Sequence, residues 1–235
     1  MQNQFGQPVG FAMADWTPRE RPTRSVLSGR FCRLEPLDPA QHAQALYTLL
    51  SSEPDARLWT YLPYGPFMTY EDFAEWIKAA SQSIDPLFFA ILDAATGQPV
   101  GICSYLRIDP VNGSIEVGHL IYTALLRKTI AATEAMFLMM QNAFQLGYRR
   151  YEWKCDSLNG PSRAAATRLG FQFEGIFRQA VVYKQRNRDT AWHSIIDTDW
   201  PRLQTAFLSW LAPANFGARG QQQVRLADLT RLPLA

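Results

Sequence analysis

Between Ile130 and Leu146 the chain carries a helical pattern, IAATEAMFLMMQNAFQL, that is apolar on most of its faces and stops at Gly147. A helix in contact with water keeps one polar face, so this one has to lie against a sheet with other elements covering its back. The chain supplies such a sheet. Phe31 to Leu37, Leu87 to Leu92, Val100 to Ile108 and Ser114 to Tyr122 read as strands before the helix, the last two joined at the Asn112-Gly113 turn. Arg149 to Asp156, Phe171 to Tyr183 and Thr190 to Ile196 read as strands after it. Helices are expected from Pro39 to Ser51 behind Asp38, and from Thr69, as cap, to about Ser81. Two more run from Pro161 to Leu169, closed by Gly170, and from Trp200 to Leu211. The order β-α-α-β-β-β-α-β-α-β-β is that of an α+β domain with a mixed sheet.

That domain spans 29–211, with a Gln-, Pro- and Arg-rich arm over 1–28 and a tail over 212–235. A chain of 235 residues suits one domain plus extensions. No apolar run is long enough to cross a membrane, and the first residues lack the basic and apolar regions of a secretory signal. The three cysteines, Cys32, Cys103 and Cys155, are far apart and form no C-x-x-C. Reduced thiols, no metal site and a cytoplasmic location are the expectation.

Charge is unevenly spread. From Arg149 to Arg188 nine basic side chains face three acidic ones, a net of +6, and the rest of the chain nets −4. A basic half suits an anionic ligand, or simply a solvated face. Leu126-Arg-Lys-Thr-Ile-Ala-Ala-Thr-Glu-Ala135 is a strand-to-helix junction with small residues and two cations at a helix N-terminus. Unpaired backbone amides there can hold a phosphate, although the Walker spacing is absent. An ordinary capped helix start has the same look.

Arg127-Lys-Thr-Ile-Ala-Ala132 resembles Q/R-x-x-G-x-G/A, the acetyl-CoA diphosphate loop of the GNAT N-acetyltransferase superfamily. Asn159-Gly-Pro-Ser162, Arg168-Leu-Gly-Phe171, Glu174-Gly175 and Arg188-Asp-Thr-Ala-Trp192 resemble the signature of its RimJ/RimL-like branch. The resemblance covers roughly Arg30 to Trp200. Ile130 stands where the family has its central glycine. Ile keeps the backbone amide but resists positive φ, so the loop is expected to be regular at that point.

The resemblance implies the GNAT fold, a mixed, mostly antiparallel, splayed sheet flanked by helices, and direct acetyl transfer from acetyl-CoA to a primary amine. The strand ending at Tyr122 would diverge from the strand Arg150 to Asp156. The pantetheine arm would fill the gap along Leu120, Ile121 and Tyr122. The amides of Arg127, Lys128, Thr129, Ile130, Ala131 and Ala132 would hold the diphosphate, with the basic half drawing it in. Asn159 would orient the thioester arm, or it shapes the turn before Pro161. Ser162 would protonate the leaving thiolate.

Glu116 and His119 are the candidate bases, although both are also ordinary polar strand residues, and amine deprotonation with Glu116 assisting is favoured. Tyr122 is a pocket wall or an acid. Cys155 is a buried thiol without a paired histidine, and His42 and His193 are structural. The aromatic loop Trp59 to Phe67 would wall the acceptor side, or it plugs the sheet. The acceptor is an amine of unread identity, a protein N-terminus or a small molecule, and a homodimer is compatible. No membrane partner is expected. A non-catalytic acyl-CoA binder is the alternative. Nucleic-acid binding through Tyr148 to Lys154 is the lesser one, because strand alternation puts Tyr151 and Trp153 on one face and the cations on the other.

Overall fold

A computed structural model describes residues 1–217 and 220–231. Its centre is one eight-stranded sheet in the order β1-β2-β3-β4-β5-β6-β8-β7. The strands are β1 (Leu27–Ser28), β2 (Cys32–Pro36), β3 (Leu87–Asp93), β4 (Pro99–Asp109), β5 (Ser114–Tyr122), β6 (Arg150–Asp156), β7 (Gln172–Tyr183) and β8 (Arg186–Ile196). Every neighbouring pair is antiparallel except β5 and β6. That parallel pair is the one joined by the apolar helix, α3 (Ile130–Gln145), as a parallel connection requires.

Both faces of the middle of the sheet are buried. Leu87, Phe89 and Ile91 of β3 face the core under α3, while Phe88, Ala90 and Leu92 face a second core under α1 (Pro39–Ser51) and α2 (Tyr70–Gln82). The unbroken apolar run of β3 follows from that. Helix α3 is buried without a break from Ala131 to Met140. Its outer side is covered by α5 (Trp200–Leu211), with Phe137 stacked on Phe207 at 5.5 Å and Phe144 on Trp200 at 4.8 Å. Gly147, at φ +82°, ends it: Tyr148 donates its amide back to the Ala143 carbonyl, a geometry that favours glycine.

The segments outside the expected domain are built into it. The arm overlaps the sheet at its last residues, where Leu27 and Ser28 pair with Leu34 and Arg33. Upstream, Trp16 Nε1 donates to the Val111 carbonyl at 2.8 Å and the Arg19 amide donates to that of Pro110. The described part of the tail folds back over α4 (Gly160–Arg168) and α5 and includes a short helix, α6 (Leu226–Thr230). Buried Asn215 fastens it, donating to the Trp210 carbonyl at 2.9 Å and accepting from the Val224 amide at 2.8 Å. Too few apolar residues recur there to give a periodic signal, and single side chains do the anchoring.

Candidate active site

Strands β5 and β6 pair only from Ser114↔Arg150 to Val117↔Trp153. Beyond that point β5 stays with β4 and β6 stays with β8, so the sheet opens into a wedge. Two inner strand edges then face each other without a partner strand, a backbone surface suited to an extended ligand.

The wedge continues into a cavity of about 680 Å³ between α3 and α4. Leu120, Tyr122 and Trp153 form its floor, and Pro161, Ser162 and Ala165 of α4 form one wall. The junction residues Arg127, Lys128, Thr129 and Ile130, with Ala132, close one end. Trp210, Phe216 and Gln222 complete it from the C-terminal segment, where Trp210 Nε1 donates to Gln222 Oε1 at 2.8 Å. Sequence reasoning missed these last three, because they lie in a stretch with no motif.

The junction is more selective than its sequence suggests. Thr129 caps α3, its hydroxyl accepting from the Ala132 amide at 3.1 Å. The Arg127 and Thr129 amides are spent on the carbonyls of Thr123 and Leu126. Among the described residues the amides of Lys128, Ile130 and Ala131 have no partner, so three of the six expected donors remain for an anion. The positive φ of the loop falls on Lys128, at +62°, and Ile130 is the first residue of α3. The loop has moved its left-handed residue away from the position Ile occupies. Arg127 is not free either: it pairs with half-buried Glu53, which also accepts from the Ala124 amide. The cations bordering the cavity are therefore Lys128, Arg127 with its charge shared, and Arg168, which donates to Thr133 Oγ1 at 3.2 Å. Unpaired amides, cations and an apolar channel leading away from them fit a diphosphate on a long apolar arm.

Several expected residues sit elsewhere. Ile121 is fully buried in the core under α1 and α2, so only its backbone lies near the wedge. Ala131 borders a separate hollow of about 230 Å³ beside Arg30 and Asp93. Asn159 is the N-cap of α4, its Oδ1 accepting from the Ser162 amide at 3.2 Å, and does not border the cavity. Ser162 does, and its Oγ accepts from Trp153 Nε1 at 3.0 Å. Indole N–H only donates, so the Ser162 hydroxyl proton is left to point elsewhere. Cys155 is buried nearby and burial pushes its thiol up, away from a nucleophilic thiolate.

Glu116 and His119 face away from the cavity, toward α1 and α2. Strict alternation would put His119 on the same face as Val117. Instead β5 carries one extra residue against β4: Ile102 pairs with Ile121 and Ser104 with Gly118, and His119 takes φ +51°. This bulge puts Leu120 and Tyr122 on the cavity side and turns His119 to the other. There its Nδ1 lies 2.9 Å from the Tyr64 hydroxyl, and its ring packs 5.1 Å from Phe88. Burial, with some help from Arg107, pushes its pKa down to about 4.

Glu116 is buried and held by Arg107 at 2.7 Å and Lys154 at 3.1 Å. Burial raises its carboxyl while the two cations oppose the rise. The ion pairs continue across the sheet from Lys154 to Glu152, Arg150 and Glu174. Part of the basic half is thus spent on ties. Arg150 and Lys154 are in this chain, Lys184 donates to the Trp59 carbonyl at 2.7 Å, and Arg168 alone of the nine borders the cavity. Its expected role in drawing in phosphates passes mainly to Arg127 and Lys128, which lie outside it. Tyr148, Tyr151 and Trp153 are buried, so that run offers no exposed ring for a base to stack on.

The aromatic loop serves as the plug that was one of its two expected roles. Trp59 plugs the core under α1 and α2, while Tyr61 reaches across the wedge to the Leu158 carbonyl at 3.2 Å. Among the described residues no group of three His, Cys, Asp or Glu side chains is placed to hold a metal, and no helix is long and apolar enough to cross a membrane.

Residues 32–172 match the family model of the acetyltransferase (GNAT) domain. A GCN5-related N-acetyltransferase from Brucella melitensis is 49% identical, superposes with a TM-score of 0.91, and is covered over 100% of its length by 94% of this chain. An uncharacterized N-acetyltransferase, p20, of Bacillus licheniformis is 26% identical over 149 residues, 62% of this chain and 84% of that one. RimL, a ribosomal-protein α-N-acetyltransferase solved in complex with coenzyme A, shares the fold at 21% identity and a TM-score of 0.63, over 74% of this chain and 99% of its own. With its strands parted beside a helix N-terminus and this family match over most of the domain, the chain belongs to the GNAT family of acetyltransferases.

Proposed function

We propose that the protein moves an acetyl group from acetyl-CoA to a primary amine by direct attack in a ternary complex, as a RimJ/RimL-like N-acetyltransferase. The observation that carries this is the open wedge between β5 and β6 leading to the unpaired amides of Lys128 and Ile130 at the start of α3. In this reading those two amides hold the diphosphate, and the edges of β5 and β6 bind the amide-bearing arm. Acetyl-CoA supplies an activated thioester carbonyl.

Ser162 keeps its proton on Oγ, held in place by Trp153, and gives it to the departing sulfur. Glu116 has both oxygens tied to cations and serves to fix β5 against β6 rather than to take a proton. The acceptor therefore loses its proton to solvent, which an α-amine near pH 8 does far more readily than a lysine near ~10.4. Holding the two substrates in line supplies most of the rate. RimL, described as a ribosomal-protein α-N-acetyltransferase in complex with coenzyme A, supports both the donor and an α-amine as acceptor.

The test is thermal. Acetyl-CoA at about 100 times its Kd should add ~2.7 kcal/mol, a rise in Tm of roughly 5–10 °C for a chain of this size. A panel of peptide N-termini, amino acids, polyamines and aminoglycosides, with released CoA thiol as readout, should then find an acceptor. No shift at millimolar acetyl-CoA removes the donor assignment. A shift without turnover on any amine leaves a binding protein.

A further inference from the structure

Tyr64 and His119 come from distant parts of the chain. Tyr64 sits in the aromatic loop ahead of α2, and its ring packs 4.6 Å from Trp76 of that helix. His119 is the bulged residue of β5, two positions beyond the last pair that β5 makes with β6. Their rings are parallel to within 6°, with the hydroxyl 2.9 Å from Nδ1. No described residue other than His119 shares the Tyr64 hydroxyl, and none bonds His119 Nε2. His119 lies on the face of β5 opposite Leu120 and Tyr122, hence opposite the cavity assigned to the donor.

We propose that Tyr64 is a positioning residue that donates its hydroxyl proton to Nδ1 and holds His119 as the neutral Nε2–H tautomer. His119 then offers a hydrogen-bond donor to the acceptor, not a lone pair to its proton. The assignment of that face to the acceptor rests on the function proposed above, whereas the tautomer does not.

The tautomer follows from the direction of that bond. A phenol hydroxyl has one proton, and a neutral imidazole has one bare nitrogen that accepts and one N–H that donates. If the phenol gives its proton to Nδ1, the ring proton must be on Nε2. Protonating the ring would put a second proton on Nδ1 and force the Tyr64 hydroxyl to turn away, in a pocket walled by Phe88, Phe67 and Trp76. The charged group acting on the ring is Arg107 of β4, which also opposes a second positive charge, and burial acts in the same direction. Neither Phe88 of β3 nor Trp76 of α2 offers a carboxylate to compensate. The bulge is what makes this possible: without the extra residue, His119 would point into the donor cavity and Tyr64 could not reach it.

The test needs no acceptor in its first arm. The chain has only three histidines, so 15N-histidine labelling gives a spectrum in which His119→Ala assigns the ring directly. At pH 7 the His119 signals should be those of a bare, hydrogen-bonded Nδ1 and a protonated Nε2, and in Tyr64→Phe the Nδ1 signal should move. An imidazolium, an Nδ1–H tautomer, or an unchanged Nδ1 signal in Tyr64→Phe overturns the proposal. The second arm follows acetyl transfer to glycinamide across pH. His119→Ala should raise the KM for glycinamide about 5- to 30-fold, the size of one lost hydrogen bond, with kcat little changed and the basic limb still tracking the amine. His119→Asn, which restores an N–H donor, should recover part of it. Loss of a limb near pH 6–7, or a 10²- to 10⁴-fold fall in kcat, identifies a base and refutes the assignment. If no amine is acetylated, the enzymatic reading fails, and the nitrogen spectrum still decides the tautomer.

Discussion

Replacing Glu134 should cost more stability than any surface position and should do so through the backbone of another element. Glu134 lies in the second turn of α3, inside the run of buried residues. Its carboxylate accepts the amides of Arg30 at 2.9 Å, Phe31 at 2.6 Å and Cys32 at 2.8 Å, so one side chain satisfies the whole entry into β2. Glu134→Ala leaves three N–H groups without an acceptor. The Cys32 amide is buried and bears the full cost of about 1–3 kcal/mol, while water reaches the other two in part. The sum is ~3–5 kcal/mol, or roughly 6–20 °C in Tm for a chain of this length. Glu134→Gln keeps one accepting oxygen but turns an NH₂ toward an N–H, and should lose about half as much.

Gly29 provides an internal check. A Cβ there would lie 2.4 Å from the Glu134 carboxyl carbon, so Gly29→Ala should destabilise the wild type. In the Glu134→Ala background the space is open and the same change should be nearly neutral, a coupling of about 1–3 kcal/mol. Urea unfolding of the four proteins, with an unchanged m-value as the sign that the denatured state is unaltered, measures it. A Glu134→Ala loss under ~1 kcal/mol, or additive effects of the two substitutions, refutes the idea that this carboxylate clamps β2 to α3.

Ile130→Pro should fold, because Thr129 before it is already extended at φ −99° and ψ 166° and proline suits the first helical position, yet it removes one free amide. Calorimetric titration should show CoA bound about 10-fold or more weakly, against Ile130→Ala as control, and equal affinities refute the amide cradle. The folded pKa of His119, about 4, lies below the unfolded value near ~6.5, so the unfolded chain binds the proton first as pH falls. Its contribution is complete above pH ~6.5 and is lost as pH falls to 4, up to ~3 kcal/mol, and His119→Gln should flatten that slope in urea melts. An unchanged slope counts against the burial argument. Lys154→Met leaves Glu116 and Glu152 buried without their shared cation and should cost about 3–5 kcal/mol at pH 7. Because burial raises the Glu116 carboxyl and Lys154 opposes the rise, Glu116 should take up a proton more readily in the variant, and that deficit should shrink at pH 5. A variant as stable as wild type at pH 7 refutes the tie.

Element boundaries were legible where local chemistry sets them. Asp38 and Thr69 do cap α1 and α2, and α5 runs from Trp200 to Leu211 as its amphipathic pattern indicates. The donor side was legible in part: eight of the expected residues border the cavity, but Ile121, Ala131 and Asn159 do not. Ile121 was misplaced because of the bulge at His119. Strand alternation assumes one residue per step, and a bulge leaves no mark in a sequence whose bulged residue is not glycine. The clamp made by Glu134 was not legible, since nothing local shows that three amides a hundred residues away will meet it. The basic half suggested an anion, but charge counting does not see which cations already have carboxylates.

The bulge and the ion-pair chain solve one mechanical problem between them. A sheet that parts at Val117 and Trp153 gives up the ladder that would otherwise hold β5 to β6. Just before that point Lys154 of β6 grips Glu116 of β5, and Arg107 of β4 grips the same carboxylate from the other side. The tie is made of side chains, so the backbone groups beyond it stay unspent. One residue later in pairing, the bulge turns His119 toward Tyr64 and puts Leu120 and Tyr122 over the cavity. In a regular strand Val117, His119 and Ile121 would share the α3 face and Gly118, Leu120 and Tyr122 the other, and the extra residue exchanges the two faces from His119 onward. With the extra residue, β5 presents apolar side chains to one substrate and a polar one to the other within two positions. Deleting His119 would remove the bulge but leave Leu120, Ile121 and Tyr122 in their present register with β4, so it should abolish the contact with Tyr64 and spare CoA binding, and weakened CoA binding in that deletion refutes this reading.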